Sequence, residues 1–319
     1  MTTQMTPQAY TMDVFGFHGT QVQVRGYQPC NNPYVPLKDE NYIFRRETVR
    51  DINNFLDCNF NDGLLIVGPT GCGKTSAIEQ VCARLHIPVQ AVTCGGSTEY
   101  MDLVGQWTLQ NGSTVWIDGP LTKAMREGHV LILNEIDLVD PSELANLNAV
   151  LEGAPLVISQ KNAEIVRPNP NFRLVATANS NGTGSDGMYV GVQRQNLAFL
   201  DRFMVIEVDY ADTDIESAIL EKITPNIPKA IREKMIELAN KVRTVFKGEE
   251  DEVTELSVTF STRTLRRWAI QTQRAEGSPN PLAYALNRAL LNRCSNSEEK
   301  EAINTWAIAL FGSDFSEQN

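Results

Sequence analysis

Hydrophobic residues in the middle of the chain gather into five short runs, and stretches with helical spacing separate them. Runs of four to six residues are too short for a buried helix and are typical of strands covered on both faces. Alternation of such strands with helices favours a mainly parallel sheet between two helical layers. The predicted strands are Leu64–Val67, Val89–Thr93, Val130–Leu133, Arg173–Ala178 and Met204–Val208.

The pattern changes after residue 213, where the strand-like runs disappear and only helical spacing remains. Pro228 and Pro281 lie near the starts of two helices, where a missing N–H costs no hydrogen bond. The predicted helices are Asp214–Ile223, Lys229–Phe246, Ser261–Gln273, Pro281–Cys294 and Ser297–Phe311. The sequence thus predicts three parts. Residues 1–40 form an arm that is either extended or a short strand pair. Residues 41–210 form an α/β domain that begins with a helix over Phe44–Leu56, and residues 211–319 form a helical lid domain.

Composition and charge narrow the functional classes. The 319 residues carry a net charge of −11, so the bulk surface repels nucleic acid and anionic membranes. A pore with local positive charge would still attract nucleic acid. No apolar run approaches the roughly 18 residues of a membrane span. Six cysteines without C-x-x-C spacing and three scattered histidines predict reduced thiols, a cytoplasmic location and no structural metal site.

The strongest chemical motif follows the first predicted strand, where eight residues fit G-x-x-x-x-G-K-[ST] and a helix over Thr75–Leu85 comes next. Glycines let backbone N–H groups turn towards a phosphate, and the helix N-terminus favours the same anion. Lys74 is predicted to reach the β- and γ-phosphates of ATP, and the Thr75 hydroxyl is predicted to ligate Mg²⁺. The expected nucleotide-binding residues here are Gly68, Pro69, Thr70, Gly71, Cys72, Gly73, Lys74, Thr75 and Ser76.

A second motif, which resembles a Walker B strand, ends the run Val130–Leu133 with polar residues. Polar side chains at such a strand end point at the metal and the γ-phosphate, and Glu135 is predicted to polarise the attacking water. Walker B usually places an aspartate before this glutamate, whereas this chain has Asn134 there. Asn134 and Thr75 are the two expected metal-site residues. An amide oxygen adds no negative charge, so weaker Mg²⁺ binding or slower hydrolysis is expected. Asp137 would compensate only if the turn after the strand bends back; a buried strand with a polar end is the alternative.

Two further polar residues stand where ring ATPases place catalytic groups. In those enzymes the strand beside Walker B ends in an asparagine that orients the lytic water, and Asn179 fits; a turn residue is the alternative, because Asn181-Gly182 follows. An arginine just before the last core strand reaches a neighbouring subunit's γ-phosphate, and Arg202 fits. A surface pair between Arg202 and Asp201 is the alternative, and Arg194 is a weaker candidate.

Arg263, at the start of a helix in the predicted lid, is expected to reach back to the γ-phosphate and to couple the nucleotide state to the lid. Arg266 and Arg267 on the same helix leave this assignment open. The expected catalytic residues are Lys74, Glu135, Asn179 and Arg202.

With these elements in order, the chain resembles the P-loop AAA+ ATPases, and within them the CobS-type subunits of the MoxR-like branch. The resemblance runs from about residue 12 to about residue 275 and implies a three-layer αβα core with a helical lid. The stretches that carry it are Tyr42–Thr48, Asp102–Gly105, Asp118–Leu121, Val166–Leu174, Ala176–Asn179 and Leu200–Phe203.

The resemblance also implies an assembly and partners. It implies a homo-oligomeric ring, usually a hexamer, a partner with a von Willebrand factor A domain, and chaperone-like remodelling of a client or assistance with metal insertion. It implies two insertions that face the pore or the partner, over Ser97–Trp116 and Leu156–Pro168; Trp107 and Trp116 would either contact that partner or pack the first insertion. Two alternatives stay open: a nucleotide-sensing scaffold with little turnover, which Asn134 favours, and a McrB-like DNA-linked NTPase, which the acidic charge disfavours.

Overall fold

The computed structural model of the chain describes residues 5–58, 61–180, 191–248, 256–312 and 315. The chain divides into two compact units. The first comprises Met1–Glu40, Phe44–Gly68 and Lys74–Val208, and the second comprises Asn41–Ile43, Pro69–Gly73 and Asp209–Asn319.

The described part of the first unit contains a five-stranded parallel sheet and three antiparallel strand pairs. The five predicted strands agree with those of the sheet to within one residue at each end, which confirms the predicted α/β class. The strands are β1 (Pro7–Thr11), β2 (Gln23–Tyr27), β3 (Gly63–Val67), β4 (Val89–Thr93), β5 (Gly105–Gln110), β6 (Ser113–Asp118), β7 (Val130–Asn134), β8 (Leu156–Ile158), β9 (Glu164–Val166), β10 (Arg173–Ala178) and β11 (Phe203–Glu207). The parallel sheet has the order β11-β3-β10-β7-β4, and the antiparallel pairs are β1-β2, β5-β6 and β8-β9.

Both faces of the sheet are covered, which explains why its central strands are continuously apolar. Leu65 and Val67 of β3 belong to the core cluster on one face. Leu64 and Ile66 point to the opposite face, because successive strand residues alternate, and both are fully buried there. The helices of this unit are α1 (Arg46–Asp57), α2 (Lys74–Leu85), α3 (Tyr100–Val104), α4 (Pro120–Glu127), α5 (Pro141–Ala145), α6 (Asn148–Leu151) and α7 (Leu197–Leu200).

The pairs β5-β6 and β8-β9 are hairpins at the two places where the resemblance implied insertions. The Trp107 indole N–H donates to the Gln160 carbonyl across the two hairpins, 3.0 Å away. Arg126 forms ion pairs with Asp118 at the end of β6 and with Glu164 in β9. Trp116 packs against the core of the sheet unit and meets the Trp107 ring edge to face, while Trp107 is 49% exposed.

The second unit is helical, and the aromatic residues Phe260, Trp268 and Phe311 pack at its centre. Its described helices follow the predicted ranges to within one residue at each end, with one exception. The helix that begins at Pro281 ends before Leu290, whose φ of −134° leaves the helical region, and a 3-10 turn follows. The described helices are α8 (Thr213–Ile223), α9 (Lys229–Phe246), α10 (Thr262–Arg274), α11 (Pro281–Ala289) and α12 (Ser297–Phe311).

Candidate active site

The glycine-rich loop joins β3 to α2 at the carboxyl edge of the sheet. Gly71 and Gly73 have φ values of +72° and +100°, in the region that favours glycine over residues with a Cβ. Helix α2 begins at Lys74, and the first backbone N–H groups of a helix lack partners within it. The motif therefore has the backbone that phosphate binding needs: a sharp loop followed by a helix N-terminus.

Lys74 connects this loop to the end of strand β10. Its side chain is 8% exposed. Its ammonium donates to the Gly68 carbonyl, 2.7 Å away, and to Asn179 Oδ1, 2.9 Å away. Lys74 and Asn179, which lie 105 residues apart in sequence, thus meet at one point. Asn181-Gly182, on which the turn alternative for Asn179 rested, lies outside the described residues.

Thr75 and Asn134 meet beside Lys74. The Thr75 hydroxyl donates to Asn134 Oδ1 at 2.6 Å, and the Thr177 hydroxyl lies 3.3 Å from the same oxygen. Asn134 is 9% exposed, so its amide is held within the sheet edge. Ser76, the last residue of the predicted binding set, is an exposed residue of α2.

The oxygens of Thr75 and Asn134 are of the hard type that Mg²⁺ prefers. In nucleotide sites Mg²⁺ keeps several waters and binds substrate phosphates, so few protein ligands are needed. Over the described part of the chain, no three His, Cys, Asp or Glu side chains gather into a metal-binding group. The residues therefore fit an ion that reaches the site together with a nucleotide, and they do not form a cage that would hold it alone.

Two acidic residues follow β7 with contrasting environments. Glu135 is exposed and has a left-handed backbone, with φ of 59°, a strained conformation that is common at functional sites. Its backbone N–H donates to the Thr177 hydroxyl, 3.2 Å away. Burial, together with the Glu135 carboxylate, raises the pKa of the Cys94 thiol to about 11, so this cysteine stays protonated.

Asp137 is fully buried in the 3-10 turn Ile136–Leu138 that follows β7. One of its carboxylate oxygens, Oδ2, accepts the backbone N–H groups of Asn179 and Ser180, at 2.8 and 3.2 Å. Its hydrogen bonds within the described structure thus reach the end of β10 and not Thr75 or Asn134. The sequence suggests Asp137 only as a substitute for a metal-site carboxylate and does not predict this contact.

Arg202 lies at the opposite, amino edge of the sheet. Its carbonyl accepts the N–H of Gly63, the first residue of β3, 2.9 Å away. Its guanidinium Nε donates to Glu152 Oε1 at 2.9 Å, and the two side chains form an ion pair. The partner is therefore Glu152 and not Asp201, and the structure does not bring Arg202 to the residues around Lys74. Arg194 is exposed in the segment before α7.

Arg263 is the second residue of α10 in the helical unit, and its side chain is exposed. The loop residues Pro69–Gly73 belong to the same unit. A Cβ added at Gly71 would lie 2.7 Å from the Ser261 Cβ and 3.6 Å from the Arg263 Cβ. Arg266 and Arg267 follow on the same helix, half-buried and exposed respectively.

The fold and the loop define a P-loop ATPase with a helical carboxyl-terminal region. Residues 63–203 match the family model for the AAA domain of the dynein-related subfamily. Residues 216–309 match the model for the CbbQ/NirQ/NorQ C-terminal region. No helix in the described part of the chain is both long and apolar enough to cross a membrane.

Similar proteins narrow the class further. The chain is 31% identical to the aerobic cobaltochelatase subunit CobS of a Sinorhizobium species, over 90% of this chain and 85% of that protein. It is 30% identical to an uncharacterized protein of Staphylococcus saprophyticus, over 84% of this chain and 97% of that protein. The chain belongs to the MoxR-like AAA+ ATPases, as its motifs predicted.

Proposed function

We propose that the chain hydrolyses ATP as one subunit of a homo-oligomeric ring, a hexamer, that remodels a client protein or assists metal insertion into it. The observation that carries the ring is the position of Arg202, at the sheet edge opposite Lys74. Strand β3 runs between the two edges over five residues, or roughly 16 Å. An arginine at the amino edge is poorly placed for its own nucleotide, but a head-to-tail ring would bring it to the neighbour's.

The proposed reaction is attack of water on the γ-phosphoryl group of ATP. Lys74 stabilises negative charge on the phosphates, while Glu135 and Asn179 orient the water. Arg202 of the neighbouring subunit offsets the charge that develops in the transition state. The shared position of Lys74 and Asn179 at one sheet edge supports this division of roles.

Mg²⁺ would be held by Thr75 and Asn134 and would supply positive charge next to the phosphates. Asn134 contributes a neutral oxygen where an aspartate would contribute a negative one, and Coulomb attraction to the ion is correspondingly weaker. We therefore propose that hydrolysis is slow for the family. A scaffold that binds ATP with little turnover is the second candidate, and the same residue favours it.

The helical segment, residues 211–319, is proposed to act as a lid on the nucleotide-binding domain, residues 41–210, with residues 1–40 as its arm. Arg263 is proposed to contact the γ-phosphate and so to couple nucleotide state to the lid. Its proximity to Gly71 within the second unit supports this role over Arg266 and Arg267.

The client and partner are proposed from the similarity to a cobaltochelatase subunit. The two hairpins supply a surface for a cytoplasmic partner with a von Willebrand factor A domain, since Leu109, Val157 and Ile165 on them are 74%, 53% and 59% exposed. An apolar surface of this kind, on a chain of net charge −11, is better suited to a protein than to nucleic acid or a membrane.

Mixing two inactive variants tests the shared site. In Lys74→Ala rings no subunit binds phosphates correctly, and in Arg202→Ala rings no site receives its arginine. Mixed rings would contain interfaces that combine the intact Lys74 of one subunit with the intact Arg202 of its neighbour. We expect phosphate release to return on mixing, with native mass spectrometry confirming mixed hexamers. Mixed rings without activity would show that Arg202 does not act on a neighbour's nucleotide.

A further inference from the structure

We infer that Asp137 is a positioning residue for Asn179, and through it for Lys74, an inference that rests on the proposed hydrolysis at this site. Asp137 follows Glu135 by two residues, yet it points away from the exposed surface that Glu135 occupies. Its carboxylate binds the backbone at the end of β10, from which the Asn179 side chain reaches the Lys74 ammonium.

The contact links the end of β10 to the segment after β7, beyond the point where the ladder between these two strands stops. The parallel ladder pairs β10 with β7 up to Ala176 and Leu133, and β10 itself ends at Ala178. Asn179 is therefore the first residue beyond the strand, where the sheet no longer fixes its direction. Asp137 Oδ2 accepts its N–H at 2.8 Å, the shortest hydrogen bond of this side chain within the described structure.

Asp137 also fixes the segment that leads into α7. Its backbone carbonyl accepts the N–H of Gln193, 2.7 Å away, while its side chain holds Asn179 and Ser180. One residue thus binds the chain on both sides of residues 181–190. A change at Asp137 would be felt first at the end of β10, since that is where its side chain acts.

The other carboxylate oxygen, Oδ1, is buried and has no hydrogen-bond partner within the described structure. Buried oxygens without partners are uncommon in folded proteins, because removing them from water is not compensated. Oδ2 thus makes both backbone contacts at the end of β10, two residues along the chain from the proposed water-orienting glutamate.

The test combines Asp137→Ala, Asn179→Ala and the double variant in the full-length ring. If Asp137 acts through Asn179, Asp137→Ala should lower kcat about tenfold with the KM for ATP changed less than about threefold. The double variant should then be within about twofold of Asn179→Ala alone, because the second change removes nothing that the first had left. Losses that multiply in the double variant would overturn the inference.

Hydrogen exchange in the nucleotide-free protein gives a readout independent of hydrolysis. We expect the amides of Asn179 and Ser180 to exchange at least about tenfold faster in Asp137→Ala. Ser180→Ala is the matched control, because it removes only the hydroxyl contact at 3.4 Å and should leave both amides protected. Asp137→Asn keeps one acceptor oxygen, so we expect it to lower kcat and to speed exchange less than Asp137→Ala does. It replaces Asp137→Ala in both experiments if that variant does not fold.

The two readouts separate the inference from the proposed function. Unchanged exchange in Asp137→Ala would refute the contact even if hydrolysis fell. If wild-type rings released no phosphate, the proposed hydrolysis would be wrong. If the Asn179 amide nevertheless lost protection in Asp137→Ala, the structural link would stand, and Asp137 would position Asn179 for nucleotide binding only.

Discussion

The two edges of the sheet hold their cationic side chains in opposite ways. At the carboxyl edge, Lys74 is 8% exposed and bound by the oxygens of Gly68 and Asn179. At the amino edge, Arg202 is bound by Glu152, whose side chain is 58% exposed, and donates to the Ala198 carbonyl. A buried cation fixed by two half-buried oxygens is already positioned for a ligand, whereas one paired with an exposed carboxylate exchanges that partner at little cost. The difference supports a site that two copies of the chain complete together.

The largest expected effect separates nucleotide binding from turnover at the two edges. Arg202→Ala should lower kcat by about 10³-fold, the scale of a transition-state arginine, because the proposed site receives no other cation from that subunit. ATP affinity should change little, since Arg202 is not among the loop residues. Single-turnover phosphate release and binding of a fluorescent ATP analogue measure the two quantities.

Lys74→Ala is the matched comparison at the other edge. It should weaken binding of the ATP analogue as well as turnover, because its ammonium lies at the phosphate loop itself. If Arg202→Ala weakened binding as much as Lys74→Ala does, the proposed contrast between the edges would be wrong.

Acid should lower the free energy of unfolding through a buried histidine at the amino edge of the sheet. His129, just before β7, is 2% exposed; its ring nitrogens contact Gln90 and Glu127, and burial, reinforced by Lys123, lowers its pKa to about 4. The unfolded chain binds this proton near its ordinary pKa of about 6.5, so stability falls as pH drops from about 6.5 towards 4. Linkage gives a loss of about 2 kcal/mol between about pH 7 and pH 5.

Urea unfolding of wild type and His129→Gln at both pH values measures this loss. The variant should be less stable at neutral pH but should lose less on acidification. Equal acid sensitivity in the two proteins would assign the effect to other groups.

The strands of the sheet are predicted from the sequence far better than the contacts around the candidate site are. Buried parallel strands are continuous apolar runs, so β4 and β10 were predicted without error at either end. The partners of Asp137 and Arg202 lie 42 and 50 residues away along the chain, and only the folded topology brings them together. The early end of α11 was missed as well, because the apolar spacing continues through Leu290 and Leu291 while the backbone leaves the helix.

A smaller change is expected from restoring a carboxylate at the carboxyl edge. Asn134→Asp places a negative charge beside the Thr75 hydroxyl. We expect either half-maximal activity at an about tenfold lower Mg²⁺ concentration or an about tenfold faster turnover. Phosphate release across a Mg²⁺ titration measures both. Asn134→Ala is the control, since it removes the acceptor without adding charge and should slow the reaction. No response to Asn134→Asp, in rings that bind ATP, would favour the scaffold alternative.

The smallest expected effect tests how loosely the amino edge holds its arginine. Glu152→Gln removes the charge that pairs with Arg202, and an exposed pair of this kind contributes no more than about 1 kcal/mol to stability. Without a competing carboxylate, Arg202 should reach the neighbouring site more often and raise turnover about twofold. Asp201→Asn is the matched control, because Asp201 adjoins Arg202 in sequence but forms no ion pair within the described structure. If Glu152→Gln instead slowed hydrolysis while Asp201→Asn did not, Glu152 would be the group that orients Arg202 in the working ring, and the amino edge would be as preorganised as the carboxyl edge.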